Sequence, residues 1–170
     1  MDDLRVRDAV PGDVQSITRV AEAGWTSAYR DLLAERTIEA ALDEWYDTAL
    51  TRERIEDDAV TYLVAEQADT VVGYASGAAV DGSVVVLASI YVMPDRWGEG
   101  IGTALLDTFE TRWSGRRYDA VRLDVLADNE VGQRFYRARG YEAVEEQETE
   151  LFGETVRERR YRKELEPGSR

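Results

Sequence analysis

The feature that most constrains this chain is an apolar strand that runs into a glycine-rich turn and then into an amphipathic helix. Three glycines alternate in the turn, at Gly98, Gly100 and Gly102, shortly after the apolar segment 84–92. Glycine lets a backbone approach a ligand closely, and a helix N-terminus presents unpaired N–H groups and the positive end of the helix dipole. The segment therefore predicts a cradle for a pyrophosphate, with a purely structural strand-to-helix turn as the alternative.

Two common nucleotide-binding patterns do not fit this turn. The dinucleotide pattern G-x-G-x-x-G needs a glycine where Thr103 stands, and it belongs after the first strand of its domain rather than after a later one. The Walker pattern needs a lysine, and the turn has none. Neither NAD nor ATP is favoured as the ligand.

The amino-acid composition excludes several kinds of catalytic and metal site. The 170 residues include no cysteine and no histidine, which excludes disulfides, thiolate nucleophiles, a histidine base and most zinc sites. We therefore expect no metal centre. The length predicts one domain over residues 1–165, with a frayed tail at 166–170.

The chain is strongly acidic, with a formal net charge of −14, and Lys163 is the only lysine among its 21 basic residues. Such a surface predicts a halophilic protein that stays soluble in molar salt, where self-repulsion is screened. An acidic protein from a GC-rich genome at ordinary salt is the alternative. The charge argues against binding to nucleic acid or to an anionic membrane, and no apolar run is long enough for a membrane span. We expect a cytoplasmic protein.

Hydrophobic periodicity predicts an alternation of strands and helices. Strands are predicted at 3–8, within 60–92, at 118–126, 141–150 and 154–164, and helices at 14–28, 36–56, 100–114 and 129–139. The order β-α-α-β-β-β-α-β-α-β-β indicates an α/β (α+β) domain. We expect a mixed, mostly antiparallel sheet of six to seven strands with about four helices.

Two segments carry a resemblance to a known family. Residues 84–106 resemble motif A of the GCN5-related N-acetyltransferase (GNAT) superfamily, whose signature is [Q/R]-x-x-G-x-[G/A]. Residues 121–141 resemble its motif B, in which an asparagine precedes a helix that ends in Phe-Tyr-x-x-x-Gly-Tyr. The resemblance implies the GNAT fold, acetyl-CoA as co-substrate, and transfer of an acetyl group to a primary amine in a ternary complex. The amine belongs to a small molecule, a protein N-terminus or a lysine. A GNAT-like module that binds acyl-CoA without turnover is the alternative, and a homodimer is compatible with the family.

The resemblance also implies roles for particular residues. Those placed against acetyl-CoA are Ile90, Tyr91, Val92, Arg96, Trp97, Gly98, Glu99, Gly100, Ile101, Gly102, Thr103, Asn129, Arg134 and Tyr136. A splay between strand 84–92 and strand 118–126 would admit the thioester, and a backbone N–H near Val92 would polarise its carbonyl. Tyr136, with Phe135 and Ala138 packed inward beside it, is the candidate general acid for the leaving thiolate, or else a core tyrosine. Asn129 is either a ligand of the pantetheine or a helix N-cap.

Two departures from the family pattern stand out. Trp97 occupies the usual Arg or Gln position, so Arg96, Arg134 or backbone donors would have to replace that contact. Many relatives carry a glutamate base on the fourth strand, where this chain has Val86. The base is then either water or a carboxylate elsewhere. The candidates are Asp81, Asp124, Glu150 and Glu154.

Aromatic residues are the candidates for the acceptor side. Trp25 and Tyr29 lie on a helix similar to the acceptor-side helices of small GNAT enzymes, and Trp45, Tyr46 and Phe152 would complete the wall. Core packing is the alternative for each of them. An acidic surface favours a cationic acceptor, although molar salt would weaken that attraction.

Overall fold

The structure is a computed structural model that describes residues 3–165, and the predicted tail at 166–170 lies outside the described residues. The strands are β1 (Leu4–Asp8), β2 (Val60–Gln67), β3 (Thr70–Ala79), β4 (Val84–Val92), β5 (Ala120–Leu126), β6 (Glu142–Leu151) and β7 (Glu154–Glu164). The helices are α1 (Val14–Tyr29), α2 (Glu35–Trp45), α3 (Thr48–Glu56), α4 (Ile101–Gly115) and α5 (Glu130–Arg137).

All seven strands join one sheet in the order β1-β2-β3-β4-β5-β7-β6. Every neighbouring pair is antiparallel except β4 and β5, which run parallel. The parallel pair requires a crossover, and α4 supplies it. The predicted fold class, a mixed and mostly antiparallel sheet with helices, is confirmed.

The helix count is one higher than predicted, because the helix expected over 36–56 is two helices. Tyr46 leaves the helical conformation with φ −118° and ψ 25°, which ends α2. The Asp47 carboxylate then accepts a hydrogen bond from the Leu50 backbone N–H at 3.1 Å and caps α3. An N-cap of this kind satisfies one of the donors that a new helix leaves free.

The sheet separates two apolar layers. On one face α4 buries Leu105, Phe109 and other side chains completely. On the other face α1 and α2 cover an aromatic layer that includes Trp25 and Tyr74. Within residues 3–165, no helix is both long and apolar enough to cross a membrane.

The strands β4 and β5 diverge after a short stretch of pairing. Only Val84, Val85 and Val86 of β4 pair with β5, whereas β5 continues beside β7 as far as Leu126. On the β3 side, Leu87 pairs with Gly77 and Ser89 with Ser76, so that Ala88 is an extra residue in a β-bulge. Among the described residues, β4 therefore has no strand partner on its β5 side from Leu87 onward.

Candidate functional site

A cavity of about 630 Å³ lies at the point where β4 and β5 diverge. Its walls come from β4 beyond Val86, the glycine-rich turn, the start of α4, the inner side of α5 and the end of α1. A cavity of this size is in the range of small-molecule binding sites. Most of the predicted site residues meet here although they are distant in the sequence.

The glycine-rich turn forms one wall of the cavity. Gly98 and Gly100 have φ values of +84° and +85°, in the left-handed region that favours glycine. A Cβ atom built on either residue would meet no protein atom within 4 Å. The turn thus leaves an open space in front of its backbone, at the N-terminus of α4, where N–H groups attract anions.

The cationic groups near the turn differ in part from those predicted. Arg96 lines the cavity and donates to Gln67 Oε1 at 2.6 Å. Arg134 does not belong to the lining, whereas Arg139, which the sequence analysis missed, does. The acidic Glu99, also predicted at the site, is outside the lining as well. The Arg139 guanidinium donates to Thr103 Oγ1 and stacks 3.8 Å from the centre of the Phe135 ring.

Trp97 takes a different role from that of the arginine or glutamine it replaces. Its indole Nε1 donates to the Val92 carbonyl at 3.0 Å, and the ring is 51% exposed at the cavity wall. This hydrogen bond ties the turn to the last residue of β4. Trp97 offers no charge to an anion, so backbone N–H groups and the neighbouring arginines are the donors in this part of the cavity.

Helix α5 places Tyr136 in the cavity. The Tyr136 ring packs edge-on against Phe135 and Tyr141, and its hydroxyl has no hydrogen-bond partner among the described residues. Burial raises the pKa of Tyr136 well above its ordinary value, so the phenol keeps its proton at neutral pH. Ala138, expected to pack inward, is exposed. Gln133 is the buried residue of this helix, and its side-chain N–H donates to the Ala127 carbonyl, which satisfies that buried polar group.

Asn129 lies at the start of the same helix. Its side-chain oxygen accepts a hydrogen bond from the Gly132 backbone N–H at 2.9 Å, which caps α5. Asn129 also lines the cavity. The predicted N-cap is therefore present, and the predicted contact with a pantetheine stays a prediction.

The aromatic residues of the acceptor side are mostly core residues. Trp25 is 7% exposed, packs on Tyr29, Trp45 and Tyr91, and does not line the cavity, which fits the core-packing alternative. Tyr29 does line the cavity, and its hydroxyl lies 2.9 Å from that of Tyr91. Trp25 and Tyr29 lie four residues apart on one face of α1, and this spacing does not show which of them lines the cavity.

Of the four carboxylates predicted as candidates for a base, one lines the cavity. Asp81 accepts from Ser83 N in a turn, Glu150 accepts from Thr155 Oγ1, and Glu154 caps α2 by accepting from Ala34 N and Thr37 Oγ1. Asp124 is the only carboxylate among the described residues that line the cavity. Arg160 holds it through two hydrogen bonds of 3.0 and 3.3 Å.

Similarity to known proteins identifies the family of the chain. A sequence model of the acetyltransferase (GNAT) family matches residues 25–141, which is more than half of the chain. The protein belongs to the GNAT family.

Solved structures show the same GNAT fold over nearly the whole chain. The PaiA N-acetyltransferase of Thermoplasma acidophilum, solved with coenzyme A, is 22% identical, with a TM-score of 0.84 and coverage of 96% of this chain and 99% of that one. A GCN5-related N-acetyltransferase of Rhodopseudomonas palustris is 25% identical, with a TM-score of 0.81 and coverage of 97% and 98%. YncA of Salmonella typhimurium, a putative acetyltransferase solved with acetyl-CoA, is 20% identical, with a TM-score of 0.70 and coverage of 96% and 95%.

The GNAT domain also holds a half-buried carboxylate that the sequence analysis missed. Glu158 of β7 pairs in register with Leu126 of β5 and lies on the same sheet face as Arg160, the partner of Asp124. Its carboxylate makes no hydrogen bond or ion pair with the described residues. Burial raises the pKa of Glu158, and the nearby Asp124 raises it further, whereas Arg160 lowers it.

Replacing Glu158 with glutamine is expected to raise the melting temperature at pH 7. A carboxyl whose pKa is higher in the folded than in the unfolded state destabilises the fold above that pKa. The gain should be complete at neutral pH, shrink as the pH falls through the raised pKa, and vanish below the ordinary value of about 4.3. Thermal unfolding of E158Q and of the exposed control E142Q across this range measures it. An unchanged or lower melting temperature for E158Q at pH 7 would contradict the expectation.

Proposed function

We propose that this GNAT protein is an N-acetyltransferase that moves the acetyl group of acetyl-CoA to a primary amine. The observation that carries the proposal is that one cavity joins the glycine turn, the edge of β4 beyond Val86, the hydroxyl of Tyr136 and the carboxylate of Asp124. Relatives of the same fold, solved with coenzyme A or acetyl-CoA, support it.

The residues of the cavity fit two parts of acetyl-CoA, the pyrophosphate and the pantetheine arm. Backbone N–H groups of residues 97–103 would hold the pyrophosphate, because Gly98 and Gly100 leave open space in front of the helix N-terminus. The edge of β4 from Leu87 to Val92 would pair with the extended pantetheine arm as an added strand does. Acetyl-CoA supplies an activated thioester, and the chain orients it.

The proposed transfer balances with one acid and one base. The amine nitrogen forms a bond to the thioester carbonyl carbon, and the carbon–sulfur bond breaks. Asp124 accepts the proton that the nitrogen loses, directly or through water, and Tyr136 donates a proton to the departing sulfur. The products are the N-acetylated amine and free CoA, and solvent returns each group to its starting state. Holding both reactants in one cavity supplies much of the acceleration.

Acetyl-CoA and CoA, but not NAD or ATP, are expected to raise the melting temperature of the protein in molar KCl. A ligand that binds only the folded state, at 100 times its dissociation constant, adds about 2.7 kcal/mol. For a chain of this size that corresponds to about 5–10 °C. Thermal unfolding with each of the four ligands measures the difference.

A second assay separates the enzyme from a binding module. Release of free thiol from acetyl-CoA is followed with a panel of primary amines, and amine-dependent release supports the proposal. A shift with CoA but no release with any amine would favour the non-catalytic module, for which the valine at position 86 in place of a strand acid is the supporting observation. No shift with either CoA species would show the proposal to be wrong.

A further inference from the structure

Three hydroxyl groups form a row from the buried core to the cavity. Tyr74 of β3, which is completely buried, donates to the hydroxyl of Tyr46 at 2.5 Å. The Tyr46 hydroxyl, at the end of α2, lies 3.2 Å from Ser89 Oγ on β4. Ser89 is part of the cavity wall. The row thus connects β3 and the end of α2 to one side chain of the proposed site, Ser89 of β4.

The direction of these hydrogen bonds follows from their partners. The Tyr74 hydroxyl has no other acceptor among the described residues, and a buried phenol that fails to donate is costly. Burial also raises the pKa of Tyr74, so its proton stays in place. Tyr46 therefore accepts from Tyr74 and directs its own hydrogen to Ser89, its remaining partner in residues 3–165. Ser89 accepts at its oxygen, and its own hydrogen is left without an acceptor among the described residues.

We infer that the Ser89 hydroxyl is a catalytic hydrogen-bond donor to the carbonyl oxygen of the acetyl group, oriented by Tyr46 and Tyr74. The inference rests on the proposed function. Ser89 directly follows the extra residue of the β-bulge, Ala88, where β4 separates from β5 and the thioester would enter. A donor aimed at an oxygen that gains negative charge during the reaction accelerates it. In a chain of hydrogen bonds each donor also strengthens the next.

The same direction argues against an acetylated serine. A serine nucleophile needs a neighbour that accepts its proton. The only hydrogen-bond partner of Ser89 Oγ among the described residues is Tyr46, which donates to it. Transfer should therefore proceed directly from the thioester to the amine, with intersecting initial-rate patterns rather than the parallel lines of a ping-pong reaction.

The experiment compares Ser89→Ala, Tyr74→Phe and the double variant, with Tyr62→Phe as the matched control. Tyr62 stacks on Tyr74 with ring centres 6.0 Å apart, and its hydroxyl makes no hydrogen bond with the described residues. We expect S89A to lower kcat by about 100-fold. Tyr74 does not line the cavity, so it should contact neither acetyl-CoA nor the amine. Y74F should lower kcat by about 3- to 10-fold, because Tyr74 acts on Ser89 only through the row of hydrogen bonds. Y74F should have no further effect in the S89A background, and Y62F should match the native rate.

Three results would overturn the inference. They are a native kcat for S89A, a Y74F loss that persists unchanged in the double variant, or mass-spectrometric detection of an acetyl group on Ser89. The thermal shift caused by CoA should be equal in all variants, because the effect belongs to the reaction and not to cofactor binding. If Y74F does not fold, Tyr46→Phe interrupts the same row. Absence of the CoA shift in the native protein would instead mark failure of the proposed function, which is a separate readout.

Discussion

Replacement of Tyr136 by phenylalanine is expected to lower kcat by at least about 100-fold, with the affinity for CoA unchanged. The substitution removes one hydroxyl from a ring that keeps its contacts with Phe135 and Tyr141. Because that hydroxyl has no partner among the described residues and the ring lines the cavity, its loss should leave the fold intact. The thiolate would then leave without a nearby proton donor.

Steady-state kinetics together with the CoA-induced thermal shift test this expectation. Burial raises the pKa of Tyr136, so the native protein should lose no activity from ionisation of this phenol between pH 7 and its ordinary range near 10. Tyr62→Phe removes a hydroxyl outside the cavity and should keep the native kcat. If Y136F binds CoA and retains the full rate, Tyr136 is a core tyrosine, and the acid must be sought elsewhere.

The sequence predicts most of the fold because its apolar residues repeat at the periods of strands and helices. The break between α2 and α3 was not predicted, and the reason is local. Apolar residues keep a helical spacing across the break, from Leu42 and Trp45 to Ala49. The chain nevertheless turns there, because Asp47 caps a new helix. An aspartate can cap a helix or lie on a helix surface, and the spacing of the apolar residues does not show which role Asp47 has.

The site was predictable where a motif carries it and not where tertiary contacts create it. The glycine turn and Tyr136 belong to contiguous motifs. Ser89 gains its role from Tyr46, which lies 43 residues away in the sequence. Arg139 reaches the turn only because α5 packs against the start of α4, with the Phe135 ring 3.3 Å from a Cβ built on Gly102. Such contacts depend on the packing of elements and leave no periodic signal.

Replacing Gly77 with alanine, which adds one methyl group, is expected to destabilise the protein by about 3 kcal/mol or more. This corresponds to a fall in melting temperature of about 6–12 °C. A Cβ built on Gly77 of β3 would lie 2.2 Å from the Val86 carbonyl oxygen and 2.6 Å from the Phe109 ring. Phe109 is completely buried, so it can yield only if its neighbours in the core shift. Val86 is the last residue of β4 that pairs with β5, so its backbone is held on both sides. Gly77→Ala therefore strains the sheet at the point where the cavity opens.

Gly82→Ala is the matched control, because a Cβ at Gly82 would meet no atom within 4 Å and its φ lies outside the left-handed region. Its stability should stay within about 0.5 kcal/mol of the native value or rise slightly. Equal melting temperatures for G77A and G82A would mean that β3 and β4 are not packed as closely as described. A fall in melting temperature for G77A alone, with a smaller CoA-induced thermal shift in the protein that remains folded, would show that the cavity depends on the β-bulge. Leu87 pairs with Gly77 and Ser89 with Ser76 on the two sides of that bulge. The position of Ser89 then depends on a glycine at position 77.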